Sequence, residues 1–327
     1  MGILFVNSAL FEKTCKQILF KVNRATVSLL SLINGLNIKA WYPCVKLFNS
    51  LVKSLLLYAS PVLCLRHLQE IDKVQINFFK KLLNLPLYIP NYAVRVETNQ
   101  GHLAVKIFKL VLNWIENILL MSEDRLPKIC FYKIKSSSHK NNLIKYNWAS
   151  IIRETFFVPI EEGDFWDSLT LTSLQKNKDR LLYSYNNFLL QKDIERCIAS
   201  KTLIIYPHLL NNDISNKYLN LNSDLKDLKI IAQIRLISNI GVRLIKNGKK
   251  VIINENTFCN FCGFNNDFLH IVCNCKIYSD SRCKISSLRF DSTNEFFEML
   301  TNLDELKIKN LLRFIDHLIK KLEFTAV

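Results

Sequence analysis

Four side chains that bind metal ions well lie close together late in the sequence. Cys259 and Cys262 are separated by two residues, and His270 and Cys275 by four. Two thiolates on one tight turn, followed by an imidazole and a third thiolate, form the ligand set of a tetrahedral structural zinc site. Gly263 can adopt the positive φ that such a turn requires. The spacing therefore predicts a zinc knuckle, with Zn²⁺ as a structural cofactor held by these four residues.

The fourth ligand has two candidates, because Cys273 precedes Cys275 by two residues. We favour Cys275, which leaves Cys273 as a reserve or packing residue. The alternative for the whole cluster is a set of buried thiols in a helical core, since unpaired cysteine is among the most buried residue types. If the protein supplies all four ligands, the site is structural and not catalytic.

The chain is strongly basic. It has 44 lysine and arginine residues against 28 aspartate and glutamate residues, a formal net charge of +16 over 327 residues. Nucleic acids are the natural partners for such an excess, because protein cations displace the counterions of a phosphate backbone. RNA or DNA is therefore the expected partner, and a basic protein that is merely soluble is the alternative.

Three stretches concentrate this positive charge. One is the polar face of a predicted helix at 8–35, and the others are 125–153 and 235–250, which contain no acidic residue. Cations interleaved with aromatic residues, as in 125–153, suit phosphate contacts and base stacking, although an ordinary surface loop is the alternative there. The predicted nucleic-acid contacts are Lys13, Lys16, Lys21, Arg24, Lys133, Lys135, Lys140, Arg235, Arg243, Lys246, Lys249 and Lys250.

Low glycine and proline content predicts a mostly α fold. Seven glycines and seven prolines interrupt the 327 residues, and 49% of the residues are hydrophobic. Apolar residues recur at the three-to-four-residue spacing of amphipathic helices, and Pro61 and Pro86 are expected to end two of them. The predicted helices are 8–35, 40–60, 68–85, 92–97, 102–121, 168–200, 224–246 and 294–322.

These helices suggest three segments. Residues 1–135 are expected to form a helical bundle, because three long helices with short connections pack compactly. Residues 136–221, which begin with the serine-rich stretch 136–142, form a linker and helical connector. Residues 222–327 hold a basic helix, the zinc knuckle and a C-terminal helix.

One run of residues in the first segment matches a family pattern. It comprises Leu57-Tyr58-Ala59-Ser60, Leu68, Ile71, Val74-Gln75, Phe78-Phe79, Lys80-Lys81, Leu83, Leu85-Pro86, Pro90, Val94 and Glu97. This run resembles the segment that follows the palm in non-LTR (LINE-type) retrotransposon reverse transcriptases. In that family the segment forms the helical thumb, which grips the template–primer duplex. The sequence departs from the pattern at 61–64, where the family has an aromatic residue.

A second stretch follows in the same order as in that family. Gln233-Ile234-Arg235, the cysteines at 259–275, Tyr278 and Arg282 are similar to its C-terminal zinc-binding region. The family's palm carries metal-binding aspartates in an Asp-Asp turn, and this chain contains no Asp-Asp pair. The resemblance therefore implies a fragment without polymerase activity that grips RNA template or target DNA, and the missing palm is a further potential partner.

Two functions from other classes are alternatives. The chain could be a zinc-stabilised helical module that binds another protein, as a decayed or co-opted remnant of such an element. A remote alternative is a metal-dependent nuclease built on Glu161, Glu162, Asp164 and Asp167. Those acids would more simply complement the N-terminus of the helix that follows them.

Cellular location is predicted from what the sequence contains and lacks. Ten cysteines without a secretory signal indicate a reducing compartment, so we expect an intracellular protein of the nucleus or cytoplasm. The longest apolar run, 55–65, is too short to span a bilayer, and no membrane partner is expected.

Overall fold

The computed structural model describes residues 11–137, 147–210, 217–240, 242–246, 249–253, 258–259, 261–265, 267–283 and 292–325. Over these ranges the chain is mostly α-helical, as predicted, with one two-stranded antiparallel sheet. The helices are α1 (Glu12–Gly35), α2 (Trp41–Leu47), α3 (Ser54–Leu57), α4 (Ser60–Leu63), α5 (Leu68–Leu82), α6 (Asn91–Thr98), α7 (Leu103–Leu119), α8 (Leu126–Ser137), α9 (Trp148–Ile152), α10 (Gly163–Asp167), α11 (Leu171–Ile198), α12 (Tyr206–Leu209), α13 (Leu225–Arg235), α14 (Ser279–Cys283), α15 (Thr293–Thr301) and α16 (Glu305–Thr325). The strands are β1 (Val242–Lys246) and β2 (Lys249–Ile253).

The chain divides into two compact units. Unit 1 comprises Met1–Leu32, Leu47–Ile76 and Gly101–Lys192. Unit 2 comprises Ile33–Lys46, Asn77–Gln100 and Asp193–Val327. The three segments expected from the sequence, with boundaries at 135 and 221, stay predictions.

Unit 1 has an aromatic core. The ring of Phe108 on α7 stacks on that of Phe156, with centroids 4.6 Å apart, and Tyr185 on α11 meets each of them nearly edge-on at 5.3 Å. Trp148, at the start of α9, donates its indole N–H to the carbonyl of Pro61 at 2.8 Å. The indole is thus buried with its polar atom satisfied, which is how large aromatic side chains enter a core at low cost.

Unit 2 is built around α13, a helix buried along most of its length. Asp224 caps its N-terminus by accepting a hydrogen bond from the backbone N–H of Lys226 at 3.0 Å. The rings of Trp41 and Phe79 pack elsewhere in this core with centroids 5.5 Å apart. Phe268, next to the cysteine cluster, packs against Phe296 of α15 at 6.4 Å, which anchors the cluster to the unit.

The helix predicted at 224–246 is wrong in its second half. The helix ends at Arg235, and residues from Val242 onward form the antiparallel pair β1–β2. Between the strands lie Asn247 and Gly248, which are outside the described residues. This dipeptide is a strong hairpin signal, because both residues tolerate the positive φ of a tight turn. The prediction of a helix at 224–246 followed the helical spacing of the apolar residues and not this hairpin signal.

Two other helix boundaries also differ from the predictions. Pro61 does not end a helix but lies in the first turn of α4, where its missing N–H removes no hydrogen bond. The break comes at Ala59, whose φ of 52° is left-handed. The helix predicted at 294–322 is divided into α15 and α16, because Asp304 caps a new helix by accepting the N–H of Lys307 at 2.7 Å.

Candidate metal centre

Three cysteines and one histidine converge in unit 2. The metal-binding atoms of Cys259, Cys262, His270 and Cys275 all lie within 4.8 Å of one another. The sulfurs of Cys259 and Cys275 are 3.8 Å apart. Two thiolates bound to one tetrahedral ion at about 2.3 Å would be separated by about 3.8 Å. This group could therefore hold a metal ion.

A tight turn presents the first two thiols. The backbone N–H of Cys259 donates to the carbonyl of Phe264 at 2.8 Å, and that of Gly263 donates to the carbonyl of Cys259 at 2.9 Å. Gly263 has a φ of 71°, which is left-handed and strained for other residues. Phe258 and Asn265 pair across the base of the turn as an antiparallel bridge. The Cys-x2-Cys spacing thus closes into a rigid loop.

The other two ligands are fixed by side chains nearby. Asp267 accepts the backbone N–H of His270 at 2.6 Å, and so caps the helical turn that carries the imidazole. Arg282 on α14 donates to the carbonyls of Ile271 at 3.2 Å and Cys275 at 2.7 Å. The capping role of Asp267 was not predicted from the sequence, although an aspartate three residues before a helical histidine is a recognisable cap signal.

The electrostatics of the group suit a cation. Nε2 of His270 is buried and has no hydrogen-bond partner in the part of the chain that the structure describes. The pKa of the Cys259 thiol is lowered to about 6. Burial raises this pKa, but hydrogen bonds with the His270 side chain and with the backbone amides of Phe261 and Cys262 outweigh the effect of burial. A thiol with such a pKa is largely thiolate near neutral pH, and the thiolate is the form that binds metals.

Cys273 does not belong to the group. The metal-binding atoms that cluster include Sγ of Cys275 and not that of Cys273. The Cys273 side chain is buried, and burial raises the pKa of its thiol to about 11, the same value as for Cys275, so the pKa does not distinguish the two thiols. The geometry places Cys275 in the group of potential ligands and Cys273 outside it, and the identity of the fourth ligand stays a prediction.

The cations predicted to contact nucleic acid lie in several places. On α1, Lys13, Lys16, Lys21 and Arg24 are exposed, and Lys16 forms an ion pair with Glu12 at 2.6 Å. On α8, Lys133 is exposed and Lys135 is half-buried. Lys135 donates to the carbonyl of Asp167 at 3.1 Å and lies over the Trp166 ring at 5.6 Å. Between α1 and α8, the α1 cations are the more accessible set.

The remaining predicted contacts, apart from Arg235, lie on the two strands or outside the described residues. Arg243 and Lys246 are on β1 and Lys249 and Lys250 on β2, and the register places Lys246 opposite Lys249. Lys140 is outside the described residues.

Arg235 is not a surface cation. Its side chain is buried, its Nε–H donates to Oε1 of Glu97 at 2.8 Å, and its guanidinium lies 5.1 Å from the centre of the Tyr218 ring. A guanidinium held in this way cannot reach a phosphate, so its assignment to a basic ridge is corrected. The reason is that α13 is a core helix, covered by its neighbours along most of its length. Lys128 is also structural, since its ammonium donates to the carbonyls of Leu119 and Met121 at the end of α7.

The acidic cluster does not gather around a common point. Arg153 makes two hydrogen bonds to the carboxylate of Asp167, at 3.0 and 3.1 Å, and Arg180 pairs with Glu162. Among the described residues, the Cys3His group is the one cluster of potential metal ligands, and these carboxylates do not form a second.

Comparison with known proteins adds no relative. No protein-family model matches the chain, and no curated protein or solved structure is significantly similar to it. Among the described residues, every helix is too short or too polar to cross a bilayer.

Proposed function

We propose that this chain is a nucleic-acid-binding fragment without polymerase activity, related to non-LTR retrotransposon reverse transcriptases, which grips RNA template or target DNA. The proposal is supported by the resemblance of two stretches, 57–97 and 233–282, in family order, and by the lack of an Asp-Asp pair. In this role the chain holds phosphate backbones and performs no chemistry of its own.

The observation that carries nucleic-acid binding is the exposed cationic face of α1. Lys13, Lys21 and Arg24 project from one long helix, and the only acid on that helix is Glu12, which pairs with Lys16. A helix has the length and regular spacing to follow a phosphate backbone, and each cation that meets a phosphate releases a counterion. The net charge of +16 makes the encounter favourable from every direction.

Zinc is the ion we propose for the Cys3His group. Thiolates and imidazole are soft ligands, and three sulfurs with one nitrogen in a tetrahedral cluster suit zinc better than calcium or magnesium, which prefer oxygen. A bound zinc ion would supply a cross-link between the Cys259 turn and the His270 turn. Because such sites do not exist in the unfolded chain, the binding free energy of the ion would stabilise this part of unit 2.

The test measures zinc and nucleic-acid binding on the same preparations. Elemental analysis should find one zinc per chain in the wild type and little in Cys259→Ser. The matched control is Cys130→Ser, an exposed thiol on α8 that should keep the metal. Fluorescence anisotropy with a structured RNA and a DNA duplex should show binding that weakens steeply between about 50 and 200 mM salt. Binding that is absent, or insensitive to salt, would contradict the proposal.

A second candidate function is a zinc-stabilised module that binds a protein. The observation that favours it is the exposure of two large apolar side chains, Phe20 and Val27, on the same helix as the cations. Phe20 and Val27 are seven residues apart and so share one face of α1, and apolar side chains exposed on one face can mark a site of protein contact. A double variant, Phe20→Ser with Val27→Ser, that leaves nucleic-acid binding intact but releases a bound protein would favour this function.

A further inference from the structure

The knuckle exposes three phenylalanine rings within seven residues. Phe258, Phe261 and Phe264 have exposed fractions of 68%, 73% and 69%. All three belong to the turn that carries Cys259 and Cys262. Single exposed apolar residues are common on protein surfaces, but a cluster on one small rigid loop forgoes the burial that usually stabilises large rings. This arrangement indicates a surface made for a partner.

The turn places its cysteines and its rings on different sides. Cys259 and Cys262 contribute their sulfurs to the group of potential ligands, whereas the ring of Phe261, between them in sequence, is exposed. Phe258 and Phe264 lie at the base of the turn, where Phe258 pairs with Asn265 and the carbonyl of Phe264 accepts from Cys259. The Phe264 ring also lies 5.9 Å from that of His270. The backbone that carries the rings is therefore closed by the same hydrogen bonds that position the potential ligands.

We propose that Phe258, Phe261 and Phe264 form a stacking platform for the bases of single-stranded nucleic acid. The inference rests on the proposed function and narrows its substrate to unpaired strands. Aromatic rings stack on any base, but only where the bases are not already stacked within a duplex. Rings on a rigid loop lose little conformational entropy on binding, so the surface is prepared for this contact.

The positive charge near the platform fits a polyanion and not a basic or apolar partner surface. Lys276, the residue that follows the ligand Cys275, is exposed. The strands that precede the knuckle carry Arg243, Lys246, Lys249 and Lys250. The acidic residues that flank the turn in sequence are Glu255 and Asp267, and Asp267 accepts the backbone N–H of His270. Lys250 is eight residues before Phe258, so the chain allows at most about 28 Å between them. A strand of several nucleotides could contact both, as single-strand binding sites of about 4–16 nucleotides do.

The test compares a 12-nucleotide single strand with a duplex of the same sequence, by anisotropy at fixed salt. In Phe261→Ala and Phe264→Ala, affinity for the single strand should fall about 5- to 100-fold, whereas affinity for the duplex should change less than twofold. Phe261→Trp should retain the affinity, and its new indole fluorescence should be quenched by the single strand. The control is Tyr183→Ala, an equally exposed ring on α11 that should have no effect. Metal content must stay at the wild-type level in each variant.

Three outcomes would overturn the inference. The first is that the wild type binds the duplex at least as tightly as the single strand. This result would contradict the stacking platform but would be compatible with the proposed function. The second is an equal loss of single-strand and duplex binding in the metal-loaded alanine variants. The third is no loss of binding but a change of oligomeric state in Phe261→Ala, measured by light scattering, which would assign the rings to a contact between proteins. If the wild type binds neither nucleic acid, the proposed function itself fails.

Discussion

Arg235 and Glu97 form a buried ion pair inside unit 2, with the Nε of the arginine 2.8 Å from Oε1 of the glutamate. Tyr218 donates its hydroxyl hydrogen to the same oxygen at 2.5 Å, and Arg235 also donates to the carbonyl of Leu300. The other carboxylate oxygen of Glu97, Oε2, is buried without a hydrogen-bond partner among the described residues. Each residue of the pair supplies the counter-charge of the other, so removing one leaves a buried charge without compensation. The pair joins α6 to α13.

We expect Glu97→Gln to lower the free energy of unfolding by about 3–5 kcal/mol, because Arg235 then stays buried without its counter-charge. Urea denaturation followed by circular dichroism would measure the loss. The control Glu195→Gln changes an exposed carboxylate on α11 and should alter the unfolding free energy by less than about 0.5 kcal/mol. The double variant Glu97→Gln with Arg235→Met should recover part of the loss. Equal stability of Glu97→Gln and the wild type would show that the pair contributes nothing.

The choice between Cys273 and Cys275 can be tested by metal content. Cys275→Ser should abolish stoichiometric metal binding, because its sulfur is one of the four clustered ligand atoms. Cys273→Ser should keep one metal per chain and lose only about 1 kcal/mol of stability from its buried position. Elemental analysis of both variants, purified in parallel, measures this. The opposite pattern would mean that Cys273 is the ligand.

The burial of Lys80 predicts that the free energy of unfolding rises with pH. Its ammonium is buried, donates to the carbonyl of Leu87 and to Oδ1 of Asn91, and burial lowers its pKa to about 8. Between pH 8 and the unfolded value of about 10.4, the unfolded chain binds this proton and the folded chain does not, so folding becomes more favourable as the pH rises.

The measurement is the unfolding free energy of the wild type minus that of Lys80→Met, at pH 7 and pH 10. The difference should move in favour of the wild type by about 1–3 kcal/mol over this interval. Lys81→Met removes an exposed neighbour on α5 and is the control for the loss of one lysine from this helix. A flat difference for Lys80→Met would show that this lysine stays protonated when folded.

The cations of α1 are predicted to set the salt dependence of nucleic-acid binding. The triple variant Lys13→Gln, Lys21→Gln, Arg24→Gln should reduce the slope of log affinity against log salt by about 0.9 for each duplex phosphate that the protein no longer neutralises. A matched triple variant, Lys176→Gln, Lys201→Gln, Lys309→Gln, removes the same charge from exposed positions elsewhere and should leave the slope nearly unchanged. Equal slopes in the two triple variants would mean that binding follows net charge and not the α1 face.

Much of the helical fold could be predicted because its signals are local. The helices α1, α5, α6 and α7 follow the three-to-four-residue spacing of their apolar residues, whereas the long helix α11 lacks a clear apolar face. The metal-binding group was also predictable, since all four ligands fall within one short stretch with recognisable spacing. Signals of this kind depend on neighbours in sequence, which the sequence displays directly.

The rest depended on contacts between distant residues or on competing local signals. Arg235 looked like part of a basic ridge because nothing near it in sequence reveals that Glu97, 138 residues earlier, neutralises it. The β1–β2 pair was missed because helical spacing and an Asn-Gly turn compete in the same stretch, and pairing with a second strand decides between them. The exposure of Phe258, Phe261 and Phe264 could not be predicted from the sequence either, since phenylalanine is usually buried.

The four potential metal ligands differ from the buried ion pair of unit 2 in how far apart they lie along the chain. Cys259 and Cys275 are 16 residues apart in sequence, whereas Glu97 and Arg235 are 138 residues apart. Closing a short loop costs less chain entropy and takes less time than closing a long one. During folding, the four potential ligands can therefore come together early, before the distant residues of the buried ion pair meet.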